Sequence, residues 1–292
     1  MQHDSSSGSL VPVMAAIASA FFMGTIGVFS KSTGLPAETI TFFRLALGAL
    51  FMLVYLRVIS KQGLLLRWPT WSVLINGGML AGFIIFYVQA MNLTTMANAI
   101  MMVYLAPLAA SIVAHFVFHE RLSLVSTLLI GLALFGFAMM MEFRLDFSQG
   151  SNHALGLGFA LLSMACYASF ILINRRIRPD LPSQTRTFYQ LLTGAAIMLP
   201  FMLAHMPVLT PSHGLWLIGV GLFPGFVAIH CAVVALEKLP AATFGTLAYL
   251  EPITVVIFGW TIFGETLSLL QMAGCALILG SGIVRAVLSS RG

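Results

Sequence analysis

Tyr249 to Leu269 reads YLEPITVVIFGWTIFGETLSL, and its Glu251 beside Pro252 falls near the middle of the apolar run 241–263. A carboxylate in surroundings fit for lipid is costly unless it is paired or wet, so its chemistry is restricted. It can bind a substrate amine, carry a proton, or hold the bend at Pro252 through a hydrogen bond. Arg44 lies in another apolar run. It either snorkels to the surface or partners a substrate carboxylate or Glu251. Ser163, Tyr167 and Asn174 share a narrow helical arc with Cys166 beside them. Such a stripe faces a cavity or makes interhelical hydrogen bonds, because lipid would penalise it. Ser19, Met23 and Ser30 form the equivalent stripe earlier in the chain. Tyr87, Tyr104, His230 and Tyr249 complete the candidate binding residues.

Other chemistries lack support. His115 and His119 share a helical face next to Glu120, but Trp260 and Gly264 hold the matching places beside Glu265 in a second copy of the segment. Interfacial anchoring is therefore expected there, with no metal. Glu120 and Glu265 are read as structural, each suiting the first turn of the helix that follows. Three cysteines, an odd number without ligand spacing, argue against a disulfide framework and against zinc. No HExxH, GxSxG or paired-carboxylate motif marks an enzyme, and no cofactor or nucleic-acid module is indicated.

The elements that must position these groups follow from composition. Charged residues make up 8% of the chain, against roughly a quarter in soluble domains, and hydrophobic residues make up 59%. Lipid must be the solvent. Ten runs approach the roughly 20 residues needed to cross hydrocarbon: 11–30, 37–58, 71–93, 95–118, 123–141, 154–175, 185–204, 214–236, 241–263 and 267–287. The head before the first run has no Lys or Arg, so that run reads as a retained span rather than a secretory signal. The runs are continuous, which excludes a porin-like barrel, and a backbone in lipid must satisfy itself as helix. An all-α membrane protein is expected.

The chain repeats itself. Tyr104 to Leu124, YLAPLAASIVAHFVFHERLSL, matches the opening segment at an offset of 145. TFFRLALGALFML from Thr41 matches TFYQLLTGAAIML from Thr187, Gly78 and Gly82 match Gly221 and Gly225, and Ser19 matches Ser163. The halves are expected at 1–147 and 148–292, with five spans each. Five is odd, so the second half enters the membrane inverted. Charge agrees: Arg57, Lys61 and Arg67 follow span 2, and Arg175, Arg176, Arg178 and Arg186 follow span 6, while the opposite face holds only Lys31 and Arg144. The positive-inside rule then puts both termini in the cytoplasm. Inverted repeats allow two conformations of similar energy with a site between the halves. Pro107 and Pro252 occupy equivalent places in spans 4 and 9, where they remove a backbone donor and create a bend. The four glycines 78, 82, 221 and 225 are expected at close helix contacts.

Ten spans in two inverted fives, Arg44 early in span 2, Pro107 and Pro252, and Glu-x-Leu at both span ends resemble the drug/metabolite transporter superfamily, its EamA-type exporters most of all. Tyr104 and Tyr249 before the prolines, and Asn174 before a basic residue, are similar to the YddG-type amino-acid exporters. The resemblance implies an inner-membrane protein that exports small metabolites, amino acids foremost, by alternating access through a central cavity. Its partners would be that small molecule and the bilayer. A multidrug or quaternary-ammonium exporter that uses Glu251 as counter-charge is the alternative.

Overall fold

The computed structural model describes residues 7–58, 68–120, 122–144, 151–177, 181–204 and 206–291. Lys61, Arg67, Arg121, Arg178 and the boundary expected between the halves lie outside the described residues. Every regular element among those described is helical. Span 1 is Ser7–Gly24 continued by Ile26–Thr33, span 2 is Ala37–Val58, and span 3 is Trp71–Leu93. Span 4 is broken into Met96–Val103 and Ala106–Val117, and span 5 is Leu124–Met140. Span 6 is Ser151–Arg176, and span 7 is Ser183–Ala204. Span 8 combines Pro211–Val220, a π-helical turn Gly221–Val227 and Ala228–Lys238. Span 9 is broken into Ala241–Ala248 and Leu250–Phe263, and span 10 is Leu269–Arg291. All but span 5 have the length and hydropathy to cross a bilayer, and span 5 is an apolar helix of 17 residues.

The packing has the symmetry of the repeat. Span 3 packs on span 6 and span 8 on span 1, which are equivalent contacts. Spans 2 and 7, 4 and 9, and 5 and 10 pack on their own counterparts. Interior surface between helices in lipid depends on close van der Waals approach, which small residues permit. A Cβ added at Gly225 would strike the Arg44 carbonyl, and one at Gly221 would strike Leu47. A Cβ at Gly82 would meet the Cys166 thiol at 3.2 Å, with Phe86 at an ordinary 3.8 Å. Gly78 departs from expectation, since its added Cβ would have an ordinary 3.6 Å contact with Ile197. The close approach belongs to its neighbour Gly77, where an added Cβ would lie 2.7 Å from the Gln190 carbonyl, because the face of span 3 that meets span 7 is rotated by one residue. Pro224 sits inside the π turn, whose wider loop accommodates a missing backbone donor.

Spans 4 and 9 cross at their breaks, where an added Cβ at Gly245 would lie 2.8 Å from Pro107. Both prolines fall in the first turn of the second helical piece, where a backbone N–H has no intrahelical acceptor.

Glu120 and Glu265 do not cap the helices that follow them. Ser123 caps span 5 by accepting the Ser126 N–H. Ser268 and Gln271 form a reciprocal box at the start of span 10. Each glutamate instead joins the two halves. The Glu120 carboxylate accepts from Arg175 Nε at 2.6 Å and from the Ala241 N–H at 3.0 Å, while Arg175 also donates to the Glu237 carbonyl. Glu265 accepts from Lys31. Four spans precede Glu120 and nine precede Glu265, so the two pairs lie at opposite ends of the bundle.

Candidate functional site

Glu251 is the second residue of the second piece of span 9. Among the described residues, no hydrogen bond or ion pair reaches its carboxylate. The groups that sense its charge come from four other spans: Arg44 from span 2, Tyr87 from span 3, Tyr104 from span 4 and Tyr167 from span 6. Glu251 and the three tyrosines are half-buried. Span 1 closes the back of the site, since a Cβ at Gly24 would lie 3.0 Å from the Glu251 carbonyl.

Arg44 is only 7% exposed, and its Nε and Nη2 are buried without a hydrogen-bond partner. The backbone at Gly225 presses on its carbonyl and so sets the height of Arg44 in the bundle. Arg44 and Glu251 influence each other electrostatically yet form no ion pair within 4.0 Å. A guanidinium and a carboxyl group are thus held inside the protein, electrostatically linked but unpaired. An unmade buried pair is an unstable economy, because neither group recovers its lost hydration. A ligand carrying both signs of charge would satisfy them together.

Aromatic rings pack across these spans. Phe83 stacks on Tyr167 at 5.0 Å and on Tyr87 at 6.4 Å between centroids. Ser163 is fully buried, and its hydroxyl donates to the Phe83 carbonyl at 2.7 Å, fixing span 3 against span 6. Tyr104 packs on Phe137 and lies 5.8 Å from Tyr249. Tyr249 has no exposure, and its hydroxyl donates to the Tyr104 carbonyl.

Arg44, Tyr87, Tyr104 and Tyr167 thus share one electrostatic neighbour, Glu251. Tyr249 and Ser163 act behind them as buried fasteners. Ser19 is buried, Met23 packs against the main core cluster, and Cys166 faces Gly82. His230 stands apart, 3.2 Å from Thr187 and stacked on Phe226. Asn174 makes an interhelical hydrogen bond, accepting from Gln190 at 2.9 Å. Phe83 was missed by sequence reasoning, although its place between Gly82 and Tyr87 on span 3 was a usable signal. His115 is engaged by the backbone at Glu120 and Leu122.

A cavity of about 500 Å³ lies elsewhere, lined by Glu142, Ser268 and Gln271 at the ends of spans 5 and 10. Hydrogen bonding from Ser268, aided by Arg144, holds the Glu142 carboxyl below its ordinary value there. None of the residues around Glu251 lines it.

Known proteins share this architecture. The profile of the EamA-like transporter family matches the chain twice, over residues 10–142 and 154–285. An uncharacterized transporter of Archaeoglobus fulgidus is 28% identical, covering 92% of this chain and 94% of its own. The threonine/homoserine exporter RhtA of Escherichia coli K12 is 27% identical over 85% of this chain and 81% of its own. The aromatic amino acid exporter YddG of Ancylobacter novellus is 26% identical over 91% and 94%. One solved crystal structure superposes with a TM-score of 0.84 at 22% identity, covering 98% of both chains.

Proposed function

The chain belongs to the EamA-like transporter family and is a multi-pass membrane transporter, and on that premise we propose that it exports amino acids by alternating access. The observation that carries this reading is the separated, unpartnered couple of Arg44 and Glu251. A guanidinium is a planar fork suited to a carboxylate, and a carboxylate is the natural acceptor for an ammonium group. An amino-acid zwitterion carries both groups on one carbon, and set between Arg44 and Glu251 it would neutralise the two buried charges at once. The rings of Tyr87, Phe83 and Tyr167 offer apolar faces to side chains of differing shape, and the tyrosines add hydroxyls. The names of RhtA and YddG as amino-acid exporters support the same substrate class.

Counterflow in proteoliposomes tests the substrate, with radiolabelled L-threonine and L-phenylalanine as probes. Competitors are the matched amine without the carboxylate and the matched acid without the amine. Amino acids are expected to compete at least roughly tenfold better than either analogue, the factor set by one charge-assisted hydrogen bond. Glu251→Gln keeps shape but cannot ionise, and is expected to lose transport. Quaternary ammonium ions competing as well as amino acids would point instead to a cation exporter. A Glu251→Gln variant that transports normally at every pH would remove the charged role.

We place the protein in a bacterial-type inner membrane with both termini cytoplasmic, from the bias of Lys and Arg. A cysteine at Ser212 should then react with an impermeant reagent from the periplasmic side, and one at Pro182 should not. The reverse labelling overturns that orientation.

A further inference from the structure

The hydrogen bond from the Tyr249 hydroxyl to the Tyr104 carbonyl joins residues 145 apart, which is the offset of the repeat itself. Each tyrosine sits at the break of its own span, Tyr104 in span 4 and Tyr249 in span 9. Such a bond has a twin, in which the Tyr104 hydroxyl donates to the Tyr249 carbonyl. Only the first is made. Tyr249 is completely buried, whereas Tyr104 is half-buried and its hydroxyl has no hydrogen bond among the described residues.

The bundle ends break symmetry in the same sense. Glu120 and Arg175 are the counterparts of Glu265 and Lys31, at offsets of 145 and 144. At one end the pair is sheltered, with side chains 27% and 18% exposed, and Glu120 also takes the Ala241 N–H that opens span 9. At the other end the pair is open to solvent, 52% and 54% exposed, and Glu265 makes no bond to Met96, the counterpart of Ala241. The Glu120 end is fastened across four spans, since Arg175 also donates to the Glu237 carbonyl of span 8. The Glu265 end is tied across two.

We propose that Tyr104 and Tyr249 form a reciprocal latch that exchanges donor and acceptor as the transporter changes access. In the state described, Tyr249 donates and Glu120 closes its end. In the alternate state the halves trade conformations: Tyr104 donates to the Tyr249 carbonyl, Glu265 takes the Met96 N–H, and Glu120 releases Ala241. Each half then holds the shape its counterpart holds now, so the two states differ little in energy, as alternating access requires. The latch goes beyond the choice of substrate and stands whichever small molecule is carried.

The test uses spin-label distances in lipid nanodiscs without substrate, so it does not depend on the transport reading. With Cys166, Cys231 and Cys275 replaced by alanine, labels at His119 and Pro240 report the Glu120 end, and labels at Ser30 and Thr266 report the Glu265 end. Tyr249→Phe removes the bond of the present state and should widen the His119–Pro240 distances while narrowing Ser30–Thr266. The population ratio should move roughly fivefold, the worth of one hydrogen bond. Tyr104→Phe should move the ratio the other way, and the double variant should restore the wild-type ratio. If the tyrosine variants fail to fold, Glu120→Gln and Glu265→Gln carry the same pair of opposite signs. Single variants that shift the ratio in the same direction, or a double variant that does not restore it, overturn the latch.

Discussion

Positions 44 and 190 are counterparts in the repeat, yet their surroundings differ sharply. Gln190 is fully buried and donates to Asn174 in the neighbouring span. Arg44 is nearly as buried and has no hydrogen bond among the described residues. Position 251 shows the same contrast, since its counterpart is Ala106, a buried small residue in the packed core. What the halves share is the frame: paired tyrosines, prolines, terminal glutamates and close glycines. What they do not share lies around the candidate site. On the proposed reading this has a physical cause. A zwitterion has no twofold symmetry, so a site on a pseudo-twofold axis must place its positive and negative groups unequally.

The largest expected effect separates two equivalent glycines. Gly225→Ala forces a methyl onto the Arg44 carbonyl, which is backbone and cannot move aside. It should cost about 2–3 kcal/mol and abolish transport. Gly82→Ala meets the end of Cys166 and should melt close to wild type. Equal melting temperatures for the two variants would show that the halves pack alike after all.

Next comes the contrast of function with stability at positions 44 and 190. Arg44→Gln installs the residue its own counterpart uses and removes an unpartnered charge. Transport should fall at least roughly tenfold while the melting temperature holds or rises. Gln190→Ala leaves the Asn174 amide oxygen without its donor, so stability should drop by about 1–2 kcal/mol with transport retained. If Gln190→Ala abolishes transport and Arg44→Gln does not, the roles assigned to the halves are reversed.

The smallest effect compares the two ends. Glu120→Gln weakens a sheltered carboxylate that satisfies both Arg175 and the start of span 9, and should lower the melting temperature measurably. Glu265→Gln touches an exposed pair whose worth is screened by water, and should leave the melting temperature unchanged. Melting both in detergent with raised salt sharpens the point, since only the exposed pair should be insensitive to mutation at either salt.

Much of the frame was legible in the residues. Continuous apolar runs mark helical spans because lipid offers no partner to an unpaired backbone, and the observed spans fall within a few residues of those read from the sequence. The helix starts were less legible. Glu120 and Glu265 looked like first-turn carboxylates, but the Ser in each Glu-x-Leu-Ser does the capping. Helical register also failed by one residue at Gly77 and Gly78, because adjacent glycines differ in the direction each faces by a third of a turn, and sequence alone does not say where the neighbouring helix lies. The site was half legible. Glu251 stood out by its cost in lipid, Tyr167 by its place on a polar arc, Tyr104 by its place before Pro107, and Tyr87 as the counterpart of His230. His230 and Asn174 looked no different on their own helices, and they turned toward Thr187 and Gln190 instead.

By itself, then, the sequence determined the ten helices, the repeat and the inversion of its second half, because these depend on hydropathy, periodicity and an odd count of crossings within one chain. Only the tertiary structure decided which polar groups meet. Arg44 could have reached Glu251, snorkelled or found another acceptor, and the packing of Gly225 against its backbone leaves it buried near Glu251 without touching it. Tyr249 could have faced substrate, and the crossing of spans 4 and 9 turned its hydroxyl to the Tyr104 carbonyl. Partnership between residues on different spans depends on helix rotation and depth. Those are set by the sum of many small packing contacts, which no local stretch of the chain encodes.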